Sequence, residues 1–586
     1  MRPVVVGVSL GLSLGCLVLA ACSRPQPNAK AAGSLGAADE RGLLQVRGAE
    51  LVDGAGQPIV LRGVAFGNEV WQGAAVPRTH HAEADYARVA SMGMNSVRFY
   101  LNAVSFEDAQ NPGQYKAEGW AWLDDNVRWA RAHGIYLILN QHVPAGGFQS
   151  AGEGRALWKE PAMQQRFIDL WVAIAERYRD VPTVAGFDLL NEPGVTDWAR
   201  QWHDLAARTV RAIRAVDPAH VLFVERVNSV GKDYAENPDR NFFTVADPNV
   251  VYEFHFYKPF GFTHQGASWV PFAPESAVYP DPEGVGVEWF NLSWKTASTS
   301  PRLPAGNSDW KQYEGAWFTV QDPELAVAQP ALRCARVGAG KAQFDQVVLE
   351  ERSATGQVKE RFRQNLSTQR GWGFWAQDQN GQAGPEAQGH QDGSSLAITG
   401  TTSEASLVSD PLRFRVSPEV SYRFSGWMKG RDIPSGAECQ LSLSFFSSKV
   451  PMHGLDRDFL AAELDAYVAW GRRRGVPLYL GEWGSIRESF EDDRGGLRWA
   501  EDMLDLLAER KLHFAFHDYH EDAMGLYWGA GQLPSPERAN QPLIELFTRK
   551  LKAPAPAASE SKVSADAGAP PPALVSPVWS PPAATP

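Results

Sequence analysis

The 586-residue sequence predicts an α/β fold, a (β/α)8 barrel that is interrupted by an all-β block. From Leu43 onward, short apolar runs alternate with stretches of helical period, which is the pattern of repeated strand–helix units. Between about residues 285 and 450 the alternation stops, and short strand-like runs separated by Gly, Ser and Asp replace it. A connection of that length must be a domain of its own, because structureless loops in compact domains are far shorter.

The barrel elements follow one another along the chain. The predicted strands are 57–65, 95–100, 135–142, 187–190, 221–225, 250–257, 476–480 and 512–519. The predicted helices are 83–92, 120–133, 163–179, 198–216, 457–474, 497–510 and about 541–551. The all-β block falls before the helix at 457–474, so it is predicted to be inserted in the loop after strand six. Loops of this kind line the C-terminal face of a barrel, where active sites lie.

The first 22 residues are predicted to be an export signal. Arg2 precedes an apolar run from Val4 to Ala21, and the tetrad Leu-Ala-Ala-Cys closes the run at Cys22. This tetrad resembles the lipobox of bacterial lipoproteins, which implies a lipid on Cys22 and therefore attachment to a membrane. Ser23, rather than Asp, implies the outer membrane or the cell surface. The alternative is an ordinary signal peptide and a secreted protein.

The composition of the remaining chain predicts a tether, a barrel with an inserted domain, and a tail. Residues 23–41 are rich in Pro, Ala, Gly and Ser and are predicted to be a flexible tether. The barrel is expected at 42–284 and 451–551, and the inserted β-sandwich at 285–450. Residues 552–586 are richer still in Pro and Ala, which predicts a disordered tail.

Charge, tryptophan content and cysteines indicate which classes of ligand and which covalent links to expect. A net charge of -12 argues against a nucleic-acid partner. The 21 tryptophans suit a carbohydrate binder, because indole rings stack on sugar faces, although they also suit core packing. In an exported protein Cys334 and Cys439 are expected to form a disulfide, and no metal-ligand spacing is present. We expect a monomer.

Two glutamates stand where predicted strands end. The run FDLLNEPG at 187–194 carries Glu192 next to Pro193, which cannot continue a strand ladder. The run VPLYLGEWG at 476–484 carries Glu482 between glycines. Both carboxyl groups are therefore expected at the C-terminal lip of the barrel. Two carboxyl groups on separate strand ends are what retaining glycoside hydrolysis requires.

The Asn-Glu-Pro at 191–193 and the Gly-Glu-Trp-Gly at 481–484 resemble glycoside hydrolase family 5, the cellulase-like family of retaining TIM-barrel glycosidases. The resemblance covers 42–284 and 451–551. It implies that Glu192 is the general acid/base and Glu482 the nucleophile, with carboxyl groups ~5–5.5 Å apart. It also implies that Glu192 starts protonated while Glu482 is ionised.

The same resemblance implies supporting roles for five residues. Arg98 would hydrogen-bond the nucleophile and keep its pKa low. Asn191 would hold the 2-hydroxyl of the substrate, and His142 would line the site. His255 and Tyr257 share one face of strand six, because they are two residues apart. Tyr257 would bind the nucleophile, and His255 would orient the acid/base.

Aromatic residues that contact sugar are less well defined. Trp269 lies in a run similar to bacterial members of the family and is a candidate for stacking on sugar. The family usually carries a tryptophan on strand eight, but this strand has none. We expect His517, Tyr519 or Trp528 to replace it. The departure bears on the substrate more than on the reaction.

The inserted block resembles the jelly-roll carbohydrate-binding modules of families 4 and 9. The resemblance rests on the runs WKQY at 310–313, FDQVVLE at 344–350 and YRFSGWMK at 422–429. It implies glycan binding, with a structural lid or a calcium-stabilised spacer as the alternatives.

Together these features predict a lipid-anchored retaining β-glycosidase that acts within chains of a β-1,4-glucan, a polysaccharide or oligosaccharide substrate, and needs no cofactor or metal for catalysis. An endo-β-mannanase, an exo-β-1,3-glucosidase and a glycolipid-cleaving glycosidase remain alternatives. A surface glycan-binding lipoprotein with an inactive barrel is the alternative of another class. That alternative predicts the loss of Glu192, Glu482 or Arg98, and all three are present.

Overall fold

The computed structural model of the chain describes residues 40–552 with short gaps. The gaps are 74–75, 79, 109, 151–153, 232, 235–236, 379, 392 and 530. The predicted export signal with Cys22, nearly all of the tether and the tail after residue 552 therefore lie outside the described residues. Within the described part of the chain, no helix combines the length and the apolar character that crossing a membrane requires.

Eight parallel strands close into a barrel, which confirms the predicted fold. In chain order the strands are β1 Arg62–Phe66, β2 Ser96–Asn102, β3 Tyr136–Val143, β4 Val184–Asp188, β5 Val221–Glu225, β6 Val250–His255, β7 Leu478–Trp483 and β8 His513–Phe516. β6 pairs with β7 although the inserted block separates them in sequence, and β8 pairs with β1 to close the ring.

A helix follows each strand. The helices are α1 Glu83–Ser91, α2 Ala117–Ala132, α3 Pro161–Tyr178, α4 Arg200–Arg214, α5 Pro238–Asn241, α6 Arg457–Arg474, α7 Gly496–Arg510 and α8 Gln541–Lys552. α6 agrees with its prediction to the residue, because Asp456 caps its first turn and Gly475, with φ 64°, ends it. α5 and the short helices Arg155–Lys159 and Phe260–Thr263 were not predicted, since one turn carries no periodic signal.

Short strands and 3₁₀ helices lie outside the eight strand–helix units of the barrel. They are the hairpin Gln45–Arg47 with Glu50–Val52, the short strands Gly194–Val195, Ser229–Val230 and Asp233–Tyr234, and the 3₁₀ helices Val70–Gln72, Ala103–Ser105, Trp289–Asn291, Arg487–Phe490 and Pro536–Arg538.

The barrel interior is apolar towards one end and polar towards the other. Leu61, Ile138, Phe223 and Tyr479 belong to a cluster of fully buried side chains inside the ring. Arg98, near the centre of β2, is also fully buried, and carboxyl groups surround it. Many tryptophans, among them Trp171 and Trp499, pack between strands and helices, so part of the tryptophan content serves the core.

Two antiparallel sheets form the inserted block. One contains Leu292–Thr299, Glu438–Ser448, Val327–Ala335, Glu404–Val408, Gly373–Ala376 and Phe414–Arg415, and the other contains Gly306–Glu314, Ser421–Ile433, Lys341–Arg352, Ser395–Thr399, Gln382–Glu386, Phe318–Thr319 and Val358–Gln364. They share a core in which Leu332 and Leu441 of one sheet pack with Phe344 and Phe424 of the other.

Two connections stabilise the block. Cys334 and Cys439 face each other on neighbouring strands and are joined as a disulfide. Where the chain enters and leaves the block, Asp281–Gly286 pairs with His453–Leu455 as an antiparallel ribbon. The ribbon brings both ends of the insertion to one place, so the barrel can close without them.

Candidate active site

The carboxyl group of Glu482 lies at the end of β7 and accepts hydrogen bonds from three side chains. Arg98 Nη1 and the Tyr100 hydroxyl donate to Oε1, each at 2.7 Å, and the Tyr257 hydroxyl donates to Oε2 at 2.8 Å. Burial opposes ionisation here, but the charges of His255, His517 and Arg98 outweigh it and hold the pKa of Glu482 well below its usual range. The carboxyl group is therefore a buried, well-oriented anion.

Arg98 holds several strand ends in place. Its Nε donates to Asp188 at 2.8 Å and lies 3.1 Å from Glu253, while Nη2 donates to Asn191 Oδ1 at 3.0 Å. Burial disfavours the charged guanidinium, but Asp188 and Glu253 raise the pKa of Arg98 well above its usual value. A fully buried charge persists only when it is paired in this way.

Tyr100 is a site residue that was not predicted. It lies two residues after Arg98 on β2, so both side chains point to the same face of the strand. Its ring stacks on that of His142 with centroids 3.9 Å apart, and its hydroxyl accepts from His517 Nδ1 at 3.0 Å. The period-two argument that linked His255 to Tyr257 would have found it.

Glu192 follows β4 in a left-handed backbone conformation, with φ 43°. Its backbone N–H donates to Glu225 Oε2 at 2.6 Å, and this contact fixes the turn. Its side chain keeps 17% of its surface exposed and accepts from His255 Nδ1 at 3.0 Å. Asn191, just before it, donates to Ser150 at 3.1 Å.

Glu192 and His255 act as one proton-holding pair. Burial raises the pKa of Glu192, but the hydrogen bond and charge of His255 outweigh it, and the net shift is downward. Burial lowers the pKa of His255, but Glu225 and Glu482 raise it well above 6.5. In the free site the shared proton therefore lies on His255, whereas the sequence-based expectation placed it on Glu192.

The two glutamates are close to one another. An oxygen of Glu192, an oxygen of Glu482 and a ring nitrogen of His255 lie within 4.8 Å of each other. The same arrangement could in principle bind a metal ion. Here, however, Arg98 and Tyr257 already donate to Glu482, and His255 donates to Glu192, so the hydrogen bonds are those of an acid–base site.

His517 is the only one of the three proposed replacements for the strand-eight tryptophan that the described contacts join to the carboxyl groups. It contacts Tyr100, and Glu482 raises its pKa to about 9 despite burial, which acts in the opposite direction. Tyr519 is a correction: it is fully buried, and its hydroxyl donates to Asp85 at 2.8 Å instead of facing the cleft.

The remaining aromatic candidates lie at the rim. Trp528 packs against the guanidinium of Arg487, 5.5 Å from its ring centroid. Trp71 was not predicted, yet its ring is 41% exposed and its edge approaches both His142 and His517, with centroids 6.4 Å apart in each case. It lies in a single 3₁₀ turn, and such a turn leaves no periodic signal.

The inserted block holds the loop that carries Trp269. This ring is 54% exposed and lies 6.5 Å from His264, which in turn contacts Tyr257. The guanidinium of Arg370, from the inserted block, donates to the carbonyl oxygens of Gly266, Ala267 and Val270 at 3.3, 2.8 and 3.4 Å. The loop after β6 is thus fixed on both sides of Trp269.

Comparison with known proteins shows which proteins the chain is similar to. Residues 52–299 match the sequence model described as cellulase (glycosyl hydrolase family 5). Endoglucanase C of Acetivibrio thermocellus is 34% identical over 194 residues, which are 33% of this chain and 54% of that protein. Cellodextrinase A of Ruminococcus flavefaciens is 31% identical over 192 residues, 32% of this chain and 55% of that protein. The chain therefore spans about half the length of these relatives.

A beta-xylosidase of Phanerodontia chrysosporium is 35% identical over 204 residues, 33% of this chain and 40% of that protein. A solved structure of Thermotoga maritima Cel5A in complex with cellobiose is 15% identical with a TM-score of 0.44, covering 83% of this chain and 97% of that one. The sequence matches give no support to an inactive glycan-binding lipoprotein. The barrel closes with eight parallel strands, and the sequence from residue 52 to residue 299 is similar to the cellulase model of glycosyl hydrolase family 5.

Proposed function

We propose that the protein is a retaining β-glycosidase that cleaves within a β-1,4-glucan by double displacement. One observation carries the proposal: oxygens of Glu192 and Glu482 lie within 4.8 Å of each other. Retaining enzymes hold their two carboxyl groups ~5–5.5 Å apart, whereas inverting enzymes need ~6.5–9.5 Å to admit a water molecule between acid and base. The close spacing supports retention.

In the first step Glu482 is the nucleophile. Its ionised carboxylate attacks the anomeric carbon, so that an ester bond to the sugar forms while the glycosidic bond breaks. The leaving oxygen takes a proton from Glu192, and His255 supplies that proton through its hydrogen bond. Arg98, Tyr100 and the other donors hold the carboxylate in place but leave it ionised.

In the second step the same groups act in reverse. A water molecule attacks the anomeric carbon, the ester bond to Glu482 breaks, and the proton of the water passes to Glu192 and His255. The sugar leaves with its original configuration. No atom outside the two carboxyl groups, the histidine and water is needed, which agrees with the absence of a cofactor requirement in this chemistry.

Substrate preference is proposed from the rim and the relatives. The exposed rings of Trp71 and Trp269 offer flat faces on which sugar units could stack. Asn191, held by Arg98, would hydrogen-bond the 2-hydroxyl. Relatives named endoglucanase and cellodextrinase favour a β-1,4-glucan over a mannan, a β-1,3-glucan or a glycolipid.

We also propose that the protein is exported and anchored by a lipid on Cys22. The disulfide between Cys334 and Cys439 supports export, because such bonds persist in oxidising compartments.

Substitution of either carboxyl group tests the mechanism. Glu482→Gln is expected to abolish hydrolysis, because it removes the nucleophile. Glu192→Gln is expected to lower kcat by about 10²- to 10⁴-fold, because it removes the general acid/base. Reducing ends released from β-glucan, β-mannan and xylan would be measured. Glu176→Gln, at an exposed position on α3, is the matched control. NMR of the first product should show the β-anomer; the α-anomer would refute retention.

The pH profile tests the Glu192–His255 pair. Because the pKa of His255 is raised, the pair keeps its proton well above pH 6.5. The fall in kcat/KM that follows loss of this proton should therefore occur at alkaline pH. In His255→Asn the proton must stay on Glu192 alone, so the alkaline limb should move to lower pH. In His517→Asn the limb should stay in place. If the alkaline limb moves in His517→Asn instead, the limb reports the titration of His517, whose pKa is about 9, and the assignment to the Glu192–His255 pair is wrong.

The contact from the inserted block tests the role of the rim. Arg370→Ala removes three hydrogen bonds that hold the Trp269 loop, so KM for a long β-glucan should rise by about tenfold, the effect of ~1.4 kcal/mol. kcat for a small aryl β-glucoside should not change. Arg363→Ala, which removes an exposed pair within the block, is the control. Equal KM values for both variants would contradict the role of Arg370.

Fractionation of cells tests the anchor. Cys22→Ser removes the lipid acceptor, so the protein should move from the membrane fraction to the soluble or secreted fraction. Ser23→Ala, next to it, should stay with the membrane. Retention of the Cys22→Ser protein in the membrane fraction would exclude a lipid on this residue.

A further inference from the structure

A line of contacts leads from the nucleophile to the loop after β8. The Tyr100 hydroxyl donates to Glu482 Oε1 at 2.7 Å, and His517 Nδ1 lies 3.0 Å from the same hydroxyl. On the other side of the imidazole ring, Nε2 lies 3.4 Å from Oε2 of Glu521. Tyr100 is fully buried, whereas the side chains of His517 and Glu521 are 12% and 18% exposed. Glu521 is therefore the outer end of a line of side chains that reaches the nucleophile.

The hydroxyl of Tyr100 determines which hydrogen His517 must carry. A hydroxyl has one proton and two lone pairs. The proton goes to Glu482, because an ionised carboxylate can only accept. Arg98 Nη1, which can only donate, lies 3.1 Å from the hydroxyl and uses one lone pair. The other lone pair faces His517, so Nδ1 carries a hydrogen. The two rings are only 18° from parallel, which suits a hydrogen bond in the plane of the imidazole.

Glu521 requires a hydrogen on the second nitrogen of the same ring. A carboxylate 3.4 Å from Nε2 favours an N–H there, because a lone pair would face an anion. With both nitrogens protonated, His517 is an imidazolium and has no lone pair for the Tyr100 proton. A neutral ring that directs its one hydrogen at Glu521 would present a lone pair to Tyr100 and compete with Glu482. The charge on His517 therefore decides where Tyr100 donates.

Two anions lie near the ring of His517. The titratable groups around it are Tyr100 of β2, His142 of β3, Tyr257 and His264 after β6, Glu482 of β7, and Asp518 and Glu521 of its own loop. Burial lowers the pKa of His142 well below 6.5 and that of His264 to about 4, and it raises the pKa of Asp518 to about 8. In this set the anions at neutral pH are therefore Glu482 and Glu521. Burial lowers the pKa of His517, but these two charges outweigh it and raise that pKa to about 9.

We propose that Glu521 is a positioning residue that keeps His517 doubly protonated in the covalent intermediate, so that Tyr100 still donates to the nucleophile when it leaves. The inference rests on the proposed retaining mechanism. In the first step Glu482 forms an ester bond with the sugar and loses its charge, so Glu521 is the anion that remains beside His517. In the second step water attacks the anomeric carbon, and the ester C–O bond breaks with its electron pair moving to Glu482.

The hydrogen bond from Tyr100 stabilises the charge that returns to Glu482 in this step. The proton of the attacking water passes to Glu192 and His255, as in the mechanism above, and no proton leaves Tyr100 or His517. Glu521 therefore acts on the second step more than on the first. In the free enzyme the charge of Glu482 itself helps to hold the proton on His517.

Steady-state kinetics of Glu521→Gln test this. The substrate is dinitrophenyl β-cellobioside, whose good leaving group makes the second step limit kcat. At neutral pH we expect kcat and KM to fall together by about tenfold, the effect of weakening one charge-assisted hydrogen bond, while kcat/KM stays as in the parent. Asp522→Asn is the matched control, because Asp522 is the next carboxyl group in the loop and accepts from the backbone N–H of Gly529 instead. It should behave as the parent does.

A trapped intermediate measures the second step alone. The 2-fluoro analogue of the same substrate forms a glycosyl-enzyme that turns over slowly, and mass spectrometry should find the label on Glu482. Recovery of activity after removal of excess reagent should be about tenfold slower in Glu521→Gln at neutral pH. At acidic pH the variant should approach the parent, because His517 regains its second proton there without help from Glu521.

A double variant tests whether Glu521 acts through Tyr100. Tyr100→Phe removes the donor, so adding Glu521→Gln to it should slow recovery no further. The proposal is overturned if the second substitution still slows recovery, or if Glu521→Gln alone lowers kcat/KM as much as kcat or matches the parent. The single variant decides the matter if Tyr100→Phe does not fold by circular dichroism. A parent that forms no glycosyl-enzyme would refute the retaining mechanism itself, and this inference with it.

Discussion

The buried guanidinium of Arg98 is the constraint on which the catalytic centre depends. A fully buried charge costs several kcal/mol unless partners compensate for the lost hydration, and Arg98 is fully buried. Asp188, Glu253 and Glu482 supply the compensation, each from a different strand. The requirement to pair one cation thus orders three strand ends together. Together with His255 and His517, Arg98 also keeps Glu482 ionised in a place where burial alone would protonate it.

The same crowding of carboxyl groups places the mobile proton. Glu482 cannot take it, because Arg98 and two tyrosine hydroxyls donate to its oxygens. The negative charges around His255 raise its pKa, and His255 touches Glu192. A site with one fixed anion and one shared proton has the division of labour that a two-step displacement requires.

The sequence predicted the site residues whose position depends on the local pattern of a strand and the turn that follows it. Glu192 and Glu482 were found because an apolar strand that stops at a turn exposes its last carboxyl group. The prediction that Tyr519 faces the cleft was wrong because β8 ends at Phe516, so the alternation of side chains along the strand does not extend to Tyr519. The backbone N–H of Tyr519 donates to the carbonyl oxygen of Ala65. Trp71 was missed because its contact with the cleft arises only when β1 and β8 close the ring. Long-range closure leaves no mark on a short window of sequence.

The rim differs physically from the centre. Arg98 and its partners are held by buried charges, whereas Trp71 and Trp269 lie in loops and are 41% and 54% exposed. A contact from outside the loop holds one of them, because Arg370 of the inserted block donates to the backbone of the Trp269 loop. An insertion at the lip of the barrel therefore contributes to the cleft even if it never touches substrate. Its effect passes through the backbone that carries Trp269.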